Sequence, residues 1–508
     1  MTEANAPEPT RTHGRAQIDG AELSAEAAAL VTGGVVTHVI DGECRLSTSG
    51  AERAVLNPST GNRIGTVTDG GAEDLDAAVL AARAAFEDGR WRRLAPREQE
   101  ARLHRLADLV AEHAEVVGDL DALDAGILRR YASNIAQYSV NALRYFAGWP
   151  TKLGGNLPPV GPDYVVQERI EPVGVMGIIK PWNGPAAIFA QVAPALAAGN
   201  SVVLKPAEHT PLSATYLALL ALEAGIPPGV FNVVHGDGKV GAPLVAHPGV
   251  NRISFTGSVG TGRALAAAAA QTFKRVNLEL GGKSPVLVFP DADLELAAAG
   301  ATRSVWNNSG QVCTAGARTL VHRSIYADFL DAAVELSRDL RVGDAFDEKT
   351  DLGPLITAQQ LEKVRGYVDV GRREGATLRF EGTVETSAAG NYQAPVIFAD
   401  VRNDMTIARE EIFGPVMSVL TFDDEAEAFA LANETEFGLA AGVFTTDIGR
   451  ANRAVEALDV GTVWVNCYQV TDAAVSYGGA KGSGYGRSLG ESSLEEYTRR
   501  KTAWSRTY

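Results

Sequence analysis

Short apolar runs alternate with helical segments through the middle of the chain. Runs at residues 175–179, 201–204, 230–234 and 252–255 are each followed by a segment of helical character. Strands that alternate strictly with helices predict a parallel sheet with helices on both faces. Ligands bind such sheets at the carboxyl ends of the strands, so functional residues are expected directly after these four runs.

The flanking regions have other patterns. Residues 72–125 and 133–147 predict helices, and a Gly/Pro-rich break at 154–162 precedes a strand-like run at 164–170. A second αβ unit begins with a strand at 285–289. Later strands are expected at 319–322, 415–422, 441–444 and 461–466, with an edge strand at 502–508. The pattern predicts an α/β protein, and 508 residues favour two or three domains.

Composition excludes several classes of function. A formal net charge of −16 argues against a nucleic-acid partner, and no apolar run reaches the length of a membrane span. Three cysteines make no disulfide framework, which favours a reducing cytoplasm. The eight histidines form no cluster with ligand spacing, so no metal is expected. The polar, Pro-rich start, residues 1–16, is expected to be a disordered tail.

Cys313 is the candidate nucleophile. Small residues and glycines flank it at positions 308–316 and let other groups approach the sulfur closely. A thiol has a reference pKa of about 8.5, so a nucleophilic cysteine needs a base, a helix N-terminus or a positive group. Taken alone, Cys313 is more typical of a small buried hydrophobe. Two upstream segments favour the interpretation of Cys313 as a nucleophile.

The first upstream segment holds Asn183, directly after the run at 175–179. Its amide is a neutral donor suited to an oxyanion, although an Asn in a turn before Pro185 is the simpler interpretation. The second segment holds Glu279, a lone acid in an apolar strand that ends in two glycines. A buried acid is costly, so a general base is plausible and a structural ion pair is the alternative.

Two loops are candidates for a dinucleotide. The stretch 236–241 matches GxGxxG, but no acid follows between Asp237 and Glu279, which favours a simple turn and helix start over a Rossmann fingerprint. Lys205 and Glu208 follow a buried strand, where a carboxylate can bind both hydroxyls of a ribose. A solvated loop is the alternative for this pair.

Seven segments taken together resemble the NAD(P)-dependent aldehyde dehydrogenase superfamily, in its non-phosphorylating, hydrolytic branch. The resemblance runs from about Asn57 to Thr502. The segments are 181–183 (PWN), 205–208 (KPAE), 255–258 (FTGS), 278–283 (LELGGK), 310–313 (GQVC), 411–415 (EIFGP) and 461–466 (GTVWVN).

The resemblance implies a mechanism. The Cys313 thiolate attacks the aldehyde carbon, and the Asn183 amide with the Cys313 backbone N–H holds the oxyanion. A hydride leaves for the nicotinamide, and Glu279 activates water to hydrolyse the resulting thioester.

The resemblance also implies a site for the cofactor NAD. Lys205 and Glu208 would hold the adenosine ribose, and Ser258 would open a helix whose N–H groups meet the pyrophosphate. Glu208 would repel a 2′-phosphate, so NAD is expected over NADP. The full expected set is Ile179, Trp182, Lys205, Glu208, Gly238, Phe255, Thr256, Gly257, Ser258, Leu280, Glu411 and Phe413.

Departures from the family pattern concern the substrate. Gly184 stands where a bulky aromatic is frequent, and Thr471 where a large apolar residue is frequent. These departures predict an open, partly polar pocket for a substituted or cyclic aldehyde. None of the expected pocket positions holds an arginine, which disfavours a dicarboxylic semialdehyde as the substrate. The expected pocket residues are Gly184, Ile188, Gln191, Asn307, Val312, Thr314, Thr471 and Tyr477.

Two alternatives stay open. Acyl transfer to CoA is disfavoured by a hydrolytic base at Glu279, and a silent NAD-binding homologue is disfavoured by the joint presence of Cys313, Glu279 and Asn183. The family implies a homodimer or homotetramer through edge-strand pairing. The expected domains are an NAD-binding domain (17–150 and 171–278), a catalytic domain (279–475) and an oligomerisation extension (151–170 and 476–508).

Overall fold

The computed structural model describes residues 14–385 and 389–507. Its helices are α1 (Ala25–Thr32), α2 (Ala72–Asp88), α3 (Pro96–Glu112), α4 (Ala114–Ala125), α5 (Arg129–Ala147), α6 (Phe189–Ala197), α7 (Leu212–Glu223), α8 (Gly238–Ala246), α9 (Val259–Ala270), α10 (Leu294–Trp306), α11 (Tyr326–Arg338), α12 (Ala358–Arg373), α13 (Thr406–Arg409), α14 (Glu425–Asn433) and α15 (Ile448–Ala457).

The strands fall into two large sheets and several small ones. In chain order they are β1 (Arg15–Ile18), β2 (Ala21–Ser24), β3 (Val35–Val36), β4 (His38–Ile40), β5 (Glu43–Arg45), β6 (Glu52–Leu56), β7 (Arg63–Thr68), β8 (Tyr164–Pro172), β9 (Val175–Ile179), β10 (Ser201–Lys205), β11 (Phe231–Val233), β12 (Arg252–Thr256), β13 (Arg275–Glu279), β14 (Pro285–Val288), β15 (Arg318–His322), β16 (Thr377–Glu381), β17 (Val396–Ala399), β18 (Val416–Phe422), β19 (Phe437–Gly438), β20 (Ala440–Phe444), β21 (Thr462–Val465), β22 (Ala480–Lys481), β23 (Gly484–Tyr485) and β24 (Thr498–Arg506).

The start of the chain carries strands that the sequence pattern did not predict. Strands β1 and β2 form a hairpin, and β3, β7 and β6 form a small sheet. Of the expected tail, residues 1–13 lie outside the described residues. Arg15 and Ala16 lie in β1, so the expectation of disorder is wrong for these two residues.

The first large sheet has eight strands in the order β23-β13-β12-β9-β10-β11-β4-β5. Its five central strands, β13 to β11, are parallel, as the alternating pattern predicts. The edge strands β23, β4 and β5 pair antiparallel, which corrects the purely parallel expectation. Ile179 pairs with both Lys205 and Phe255, and Thr256 pairs with Glu279, so the carboxyl ends of four strands meet at one edge.

Both faces of this sheet are buried because alternate side chains of each strand enter different cores. Met176 and Ile178 of β9 pack with α3 to α7, whereas Val175 and Ile179 pack with α2, α8 and α9. Burial on both faces explains why these strands consist of continuous apolar runs.

The second large sheet has seven strands in the order β16-β17-β18-β15-β14-β20-β21, and all but β16 are parallel to their neighbours. Val286 and Val288 of β14 pack with α10 and α11, while Leu287 packs with α12, α14 and α15. The sequence between β13 and β14, residues 280–284, joins the two large sheets directly after Glu279.

A two-stranded ribbon extends from the sheets. β8 pairs with β24 over nine residue pairs, and the ring of Trp504 contacts that of Tyr164 edge-on. Trp504 is 64% exposed. The predicted edge strand thus begins earlier, at Thr498, and ends at Arg506.

In the described part of the chain, no helix combines the length and the apolar character needed to cross a membrane. Residues 14–385 and 389–507 likewise contain no group of three or more His, Cys, Asp or Glu side chains placed to hold a metal ion.

Candidate active site

The Cys313 loop lies between α10 and β15 and needs a glycine for its shape. A short 3₁₀ turn at Asn307–Gly310 follows α10, and Gly310 has φ of +76°. A Cβ on Gly310 would lie 2.1 Å from the carbonyl oxygen of Gly414, so no side chain fits there. Similarly, a Cβ on Gly282 would lie 2.7 Å from the Cys313 carbonyl oxygen. Gly310 thus lets the cysteine loop approach Gly414, and Gly282 lets it approach the segment that follows β13.

Asn183 connects the first sheet to this loop. Its Nδ2 donates to the Gln311 carbonyl at 3.0 Å, and Asn308 Nδ2 donates to the Asn183 carbonyl at 3.4 Å. An amide nitrogen carries two hydrogens, so a second N–H of Asn183 is available to another acceptor. The structure therefore holds Asn183 beside the cysteine loop.

The Cys313 thiol is in an environment that favours the neutral form. Burial raises the pKa of Cys313 to about 11, and the Glu411 and Glu279 carboxylates act in the same direction. The Tyr477 hydroxyl, 3.5 Å from Cys313 Sγ, and the Thr314 backbone N–H partly offset this rise. The sulfur thus needs support from its surroundings to become a thiolate.

Glu279 ends β13 and is 5% exposed. Neither carboxylate oxygen accepts a hydrogen bond of normal geometry from the described residues. Burial raises the pKa of Glu279 to about 8, an effect that the Ser488 hydroxyl and the charges of Arg487 and Lys180 reduce. A buried carboxyl without fixed partners is costly for folding, and such groups concentrate at functional sites.

Lys180 is a buried cation that sequence reasoning gave no role. Its Nζ donates to Gln191 Oε1 at 2.8 Å, and Gln191 Nε2 is 3.4 Å from Ser488 Oγ. Burial lowers the pKa of Lys180 to about 8, while the negative charges of Glu279 and Cys313 raise it. The signal in the sequence is a single lysine between an apolar strand and Pro181.

The adenosine-ribose candidates lie at the end of β10. Lys205 Nζ donates to the carbonyls of Pro206 at 2.8 Å and Gly236 at 2.7 Å, and lies 3.7 Å from Glu208 Oε2. The Glu208 side chain is 35% exposed, so its carboxylate is accessible to a ligand. Lys205 is therefore fixed by its hydrogen bonds, while the Glu208 carboxylate is exposed. In a fully solvated loop both side chains would be exposed.

Two helices begin at this same edge. Asp237 caps α8, which starts at Gly238, and Ser258 caps α9 through the N–H of Thr261. A Cβ on Gly238 or Gly260 would meet no atom within 4 Å, so open space lies over both helix starts. Unpaired N–H groups at such helix starts attract phosphate. The arrangement fits a dinucleotide pyrophosphate.

Glu411, Phe413 and Trp182 are a second group of expected cofactor residues. Glu411 Oε1 accepts the Gly282 N–H at 3.0 Å, and burial raises the pKa of Glu411. The Phe413 ring meets Trp182 edge-on at 5.3 Å. Gln360 Nε2, which sequence reasoning missed, donates to the Phe413 carbonyl at 2.8 Å and secures this loop.

The remaining cofactor candidates lie at or directly after the carboxyl ends of strands in the first large sheet. Ile179, Phe255 and Leu280 are buried, and Thr256 and Gly257 are partly exposed at the end of β12. Gly257 has no room for a side chain, because a Cβ there would lie 2.5 Å from the Phe255 ring.

The expected pocket residues divide into three groups. Val312, Thr314 and Tyr477 flank Cys313 in sequence or in space. Gln191 is buried and hydrogen-bonded, and Gly184 is partly exposed in the Asn183 loop. Asn307 and Thr471 are exposed, and Asn307 Nδ2 donates to Gln469.

Ile188, which is expected in the substrate pocket by its position, is fully buried. Its side chain packs in the core between the first sheet and its helices. Its contact with a substrate stays a prediction.

Comparisons with known proteins agree with this geometry. The pattern described for the "Aldehyde dehydrogenase family" matches residues 46–503. "Retinaldehyde dehydrogenase 3" of Mus musculus is 44% identical over 469 residues, covering 91% of each chain. "Aldehyde dehydrogenase, mitochondrial" of Homo sapiens is 45% identical over 453 residues, covering 88% of this chain and 87% of that protein.

A solved structure agrees as well. The NAD+ complex of an aldehyde dehydrogenase from Bacillus cereus superposes with a TM-score of 0.94 at 41% identity, covering 96% of this chain and 100% of that chain. The chain belongs to the aldehyde dehydrogenase family. This membership confirms the resemblance seen in the sequence, the α/β aldehyde dehydrogenase fold and the assignment as an aldehyde-oxidising oxidoreductase.

Proposed function

We propose that this enzyme oxidises an aldehyde to the carboxylic acid with NAD+, through a covalent intermediate on Cys313. The observation that supports this most strongly is the convergence of three groups on one loop. Asn183 is hydrogen-bonded next to Cys313, and the charge of Glu279 acts on the same sulfur. A thiol, an amide donor and a carboxyl without fixed partners are the groups that acyl-enzyme chemistry requires.

In the first step the Cys313 thiolate forms a C–S bond to the aldehyde carbon, and the C=O π electrons move to oxygen. The second N–H of the Asn183 amide and the Cys313 backbone N–H stabilise that oxyanion. Preorganised donors of this kind contribute about 10²–10³-fold to the rate each.

The residues at the edge of the first sheet would hold the dinucleotide. Glu208 and Lys205 would bind the adenosine ribose, the starts of α8 and α9 the pyrophosphate, and Glu411 the nicotinamide ribose beside Phe413 and Trp182. When bound, NAD+ supplies the acceptor for the hydride that leaves the tetrahedral adduct. Cys313 then carries a thioester.

Hydrolysis completes the turnover. Glu279 takes a proton from water, the water oxygen bonds to the thioester carbon, and the C–S bond breaks with the electron pair returning to sulfur. The products are the carboxylic acid and the Cys313 thiolate.

We expect the hydrolytic step to accelerate with increasing pH. A base acts only when deprotonated, and the raised pKa of Glu279, about 8, leaves most of it protonated at neutral pH. The rate of acyl-enzyme hydrolysis should therefore rise about tenfold per pH unit below pH 8 and level off above it. Single-turnover measurements of acid release between pH 6 and 9.5 test this. A flat profile would contradict the role of Glu279.

The coenzyme preference follows from Glu208. Its accessible carboxylate would repel a 2′-phosphate at the adenosine ribose, so NAD+ should show the higher kcat/KM. A kinetic comparison of NAD+ with NADP+ decides this, and a higher kcat/KM for NADP+ would refute it.

For the substrate, we propose a substituted or cyclic aldehyde. Gly184 leaves the Asn183 loop without a side chain, its Cβ position having only Ala187 within 4 Å. One relative is named for retinaldehyde, an aldehyde that carries a ring, which supports this proposal. A panel of aldehydes with NAD+ should give higher kcat/KM for cyclic members than for acetaldehyde. Added CoA should not change the rate, since Glu279 directs the thioester to water. Preference for short aliphatic aldehydes would overturn the substrate proposal.

The ribbon of β8 and β24 suggests self-association. In the described residues no third strand joins this ribbon, although Asn156 bridges Glu168 on the outer side of β8, and Trp504 is exposed upon it. We propose a homodimer or homotetramer built by edge pairing, with the eight-stranded sheet as cofactor domain and the seven-stranded sheet as catalytic domain. Sedimentation equilibrium would distinguish these assemblies from a monomer.

We propose a reducing, cytoplasmic compartment, because Cys44, Cys313 and Cys467 are all free thiols. Fractionation of the source cells tests this, and recovery of the protein from an oxidising compartment would exclude it.

A further inference from the structure

The Cys313 sulfur lacks two of the usual aids to thiolate formation. Residues 311–317 are not helical, so no helix begins at the sulfur. No histidine of the described residues hydrogen-bonds to the sulfur, since the only side-chain partner of Cys313 Sγ there is Tyr477. Glu411 and Glu279 both oppose ionisation. Lys180 is the positive group whose charge interacts with that of Cys313, and against the two carboxylates the thiolate still needs a fixed hydrogen-bond donor.

The Tyr477 hydroxyl meets this need. Its oxygen lies 3.5 Å from Cys313 Sγ, within the range of a hydrogen bond to sulfur. Since a thiolate can only accept, the tyrosine O–H becomes the donor once the sulfur is ionised.

The backbone around Tyr477 holds the ring in place. The Tyr477 N–H donates to the Ser488 carbonyl at 2.8 Å, and the Ser488 N–H donates to the Tyr477 carbonyl at 2.7 Å. This isolated antiparallel bridge fixes Tyr477 against the segment that also places Arg487 and Ser488 near Glu279. The fold thus fixes the backbone position from which the Tyr477 side chain reaches the sulfur.

Tyr477 also keeps its proton. Burial raises the pKa of Tyr477 well above its usual value, and the negative charges of Cys313 and Glu279 raise it further. The hydroxyl consequently stays a donor throughout the pH range in which the enzyme would work.

We propose that Tyr477 donates a hydrogen bond to the Cys313 thiolate and is a catalytic residue for the attack on the aldehyde. In this step the thiol proton passes to solvent, and the C–S bond forms while Tyr477 retains its own proton. The inference rests on the proposed role of Cys313, and it gives Tyr477 a function beyond lining the pocket.

Tyr138 provides a matched control. It lies on α5, is largely buried, and responds electrostatically to both Glu279 and Cys313, yet its hydroxyl makes no hydrogen bond to the sulfur. Replacing either tyrosine by phenylalanine removes one hydroxyl from the same surroundings. Only the Tyr477→Phe change removes the donor to sulfur.

The test is the pH dependence of Cys313 alkylation by iodoacetamide, followed on the Cys313 peptide by mass spectrometry. This reaction reports thiolate without requiring aldehyde oxidation. A hydrogen bond to a charged group predicts that Tyr477→Phe slows alkylation about 10- to 100-fold below the midpoint and moves the midpoint up by about one to two pH units. Tyr138→Phe should change the rate less than about twofold.

An unchanged alkylation profile in Tyr477→Phe, with a wild-type melting temperature, would overturn the proposal even if kcat falls. An equal shift in Tyr138→Phe would also overturn it, because that result indicates a general loss of polarity. Failure of the proposed function is distinguishable, since it would appear as undiminished aldehyde oxidation in Cys313→Ala.

Discussion

Replacing Cys313 by alanine should abolish aldehyde oxidation while leaving dinucleotide binding intact. Asn183 is held beside the Cys313 loop and Glu279 acts on its sulfur, so without that sulfur turnover should fall by more than about 10⁴-fold. The candidate ribose ligands Lys205 and Glu208 lie at and just after the end of β10 and make no hydrogen bond to the sulfur. The measurement is NADH formation together with the Kd for NAD+ by calorimetry.

The other two cysteines serve as matched controls for this change. Cys44 lies in β5 and Cys467 is exposed after β21. Cys44→Ala and Cys467→Ala should keep wild-type turnover. Residual activity in Cys313→Ala near the wild-type level would refute the covalent mechanism.

Glu279→Gln is expected to separate the two halves of the reaction. Glutamine fits the same buried space but cannot take a proton, so steady-state turnover should fall by about 10²–10⁴-fold. Acylation does not need the base in this form, so stopped-flow traces should still show a burst of about one NADH per site. The burst is the sign that the thioester forms and is not hydrolysed.

Asp124→Asn is the control for Glu279→Gln. Asp124 is also a buried acid whose pKa is raised, by burial and by the charge of Asp121, but it lies on α4 and accepts the Leu212 N–H. Its replacement should leave the shape of the NADH trace unchanged. A Glu279→Gln trace without a burst, or with wild-type turnover, would show that Glu279 does not act after acylation.

The central sheet could be predicted from the sequence because its strands are apolar on both faces. The run at 201–204 differs by one residue from β10 (Ser201–Lys205), and the run at 175–179 coincides with β9. The edge strand β23 could not be predicted. It has two residues, Gly484 and Tyr485, and is defined by pairing with Leu278 and Glu279 about 200 positions earlier.

The residues of the candidate site likewise divide into those that the sequence could predict and those that it could not. Asn183 and Glu279 were predictable because they follow apolar runs whose carboxyl ends meet in a parallel sheet. The contact between the Tyr477 hydroxyl and the Cys313 sulfur could not be predicted, because it depends on the pairing of Tyr477 with Ser488. Lys180 was missed because a lysine at the end of a strand is usually solvated, whereas this one is buried against Gln191.

The most direct test is the mass of the Glu279→Gln enzyme after reaction with aldehyde and NAD+. The mechanism predicts one acyl group per chain, located on the Cys313 peptide and released by hydroxylamine as expected of a thioester. NADH formation with an unmodified Cys313, or an acyl group on another residue, would contradict it.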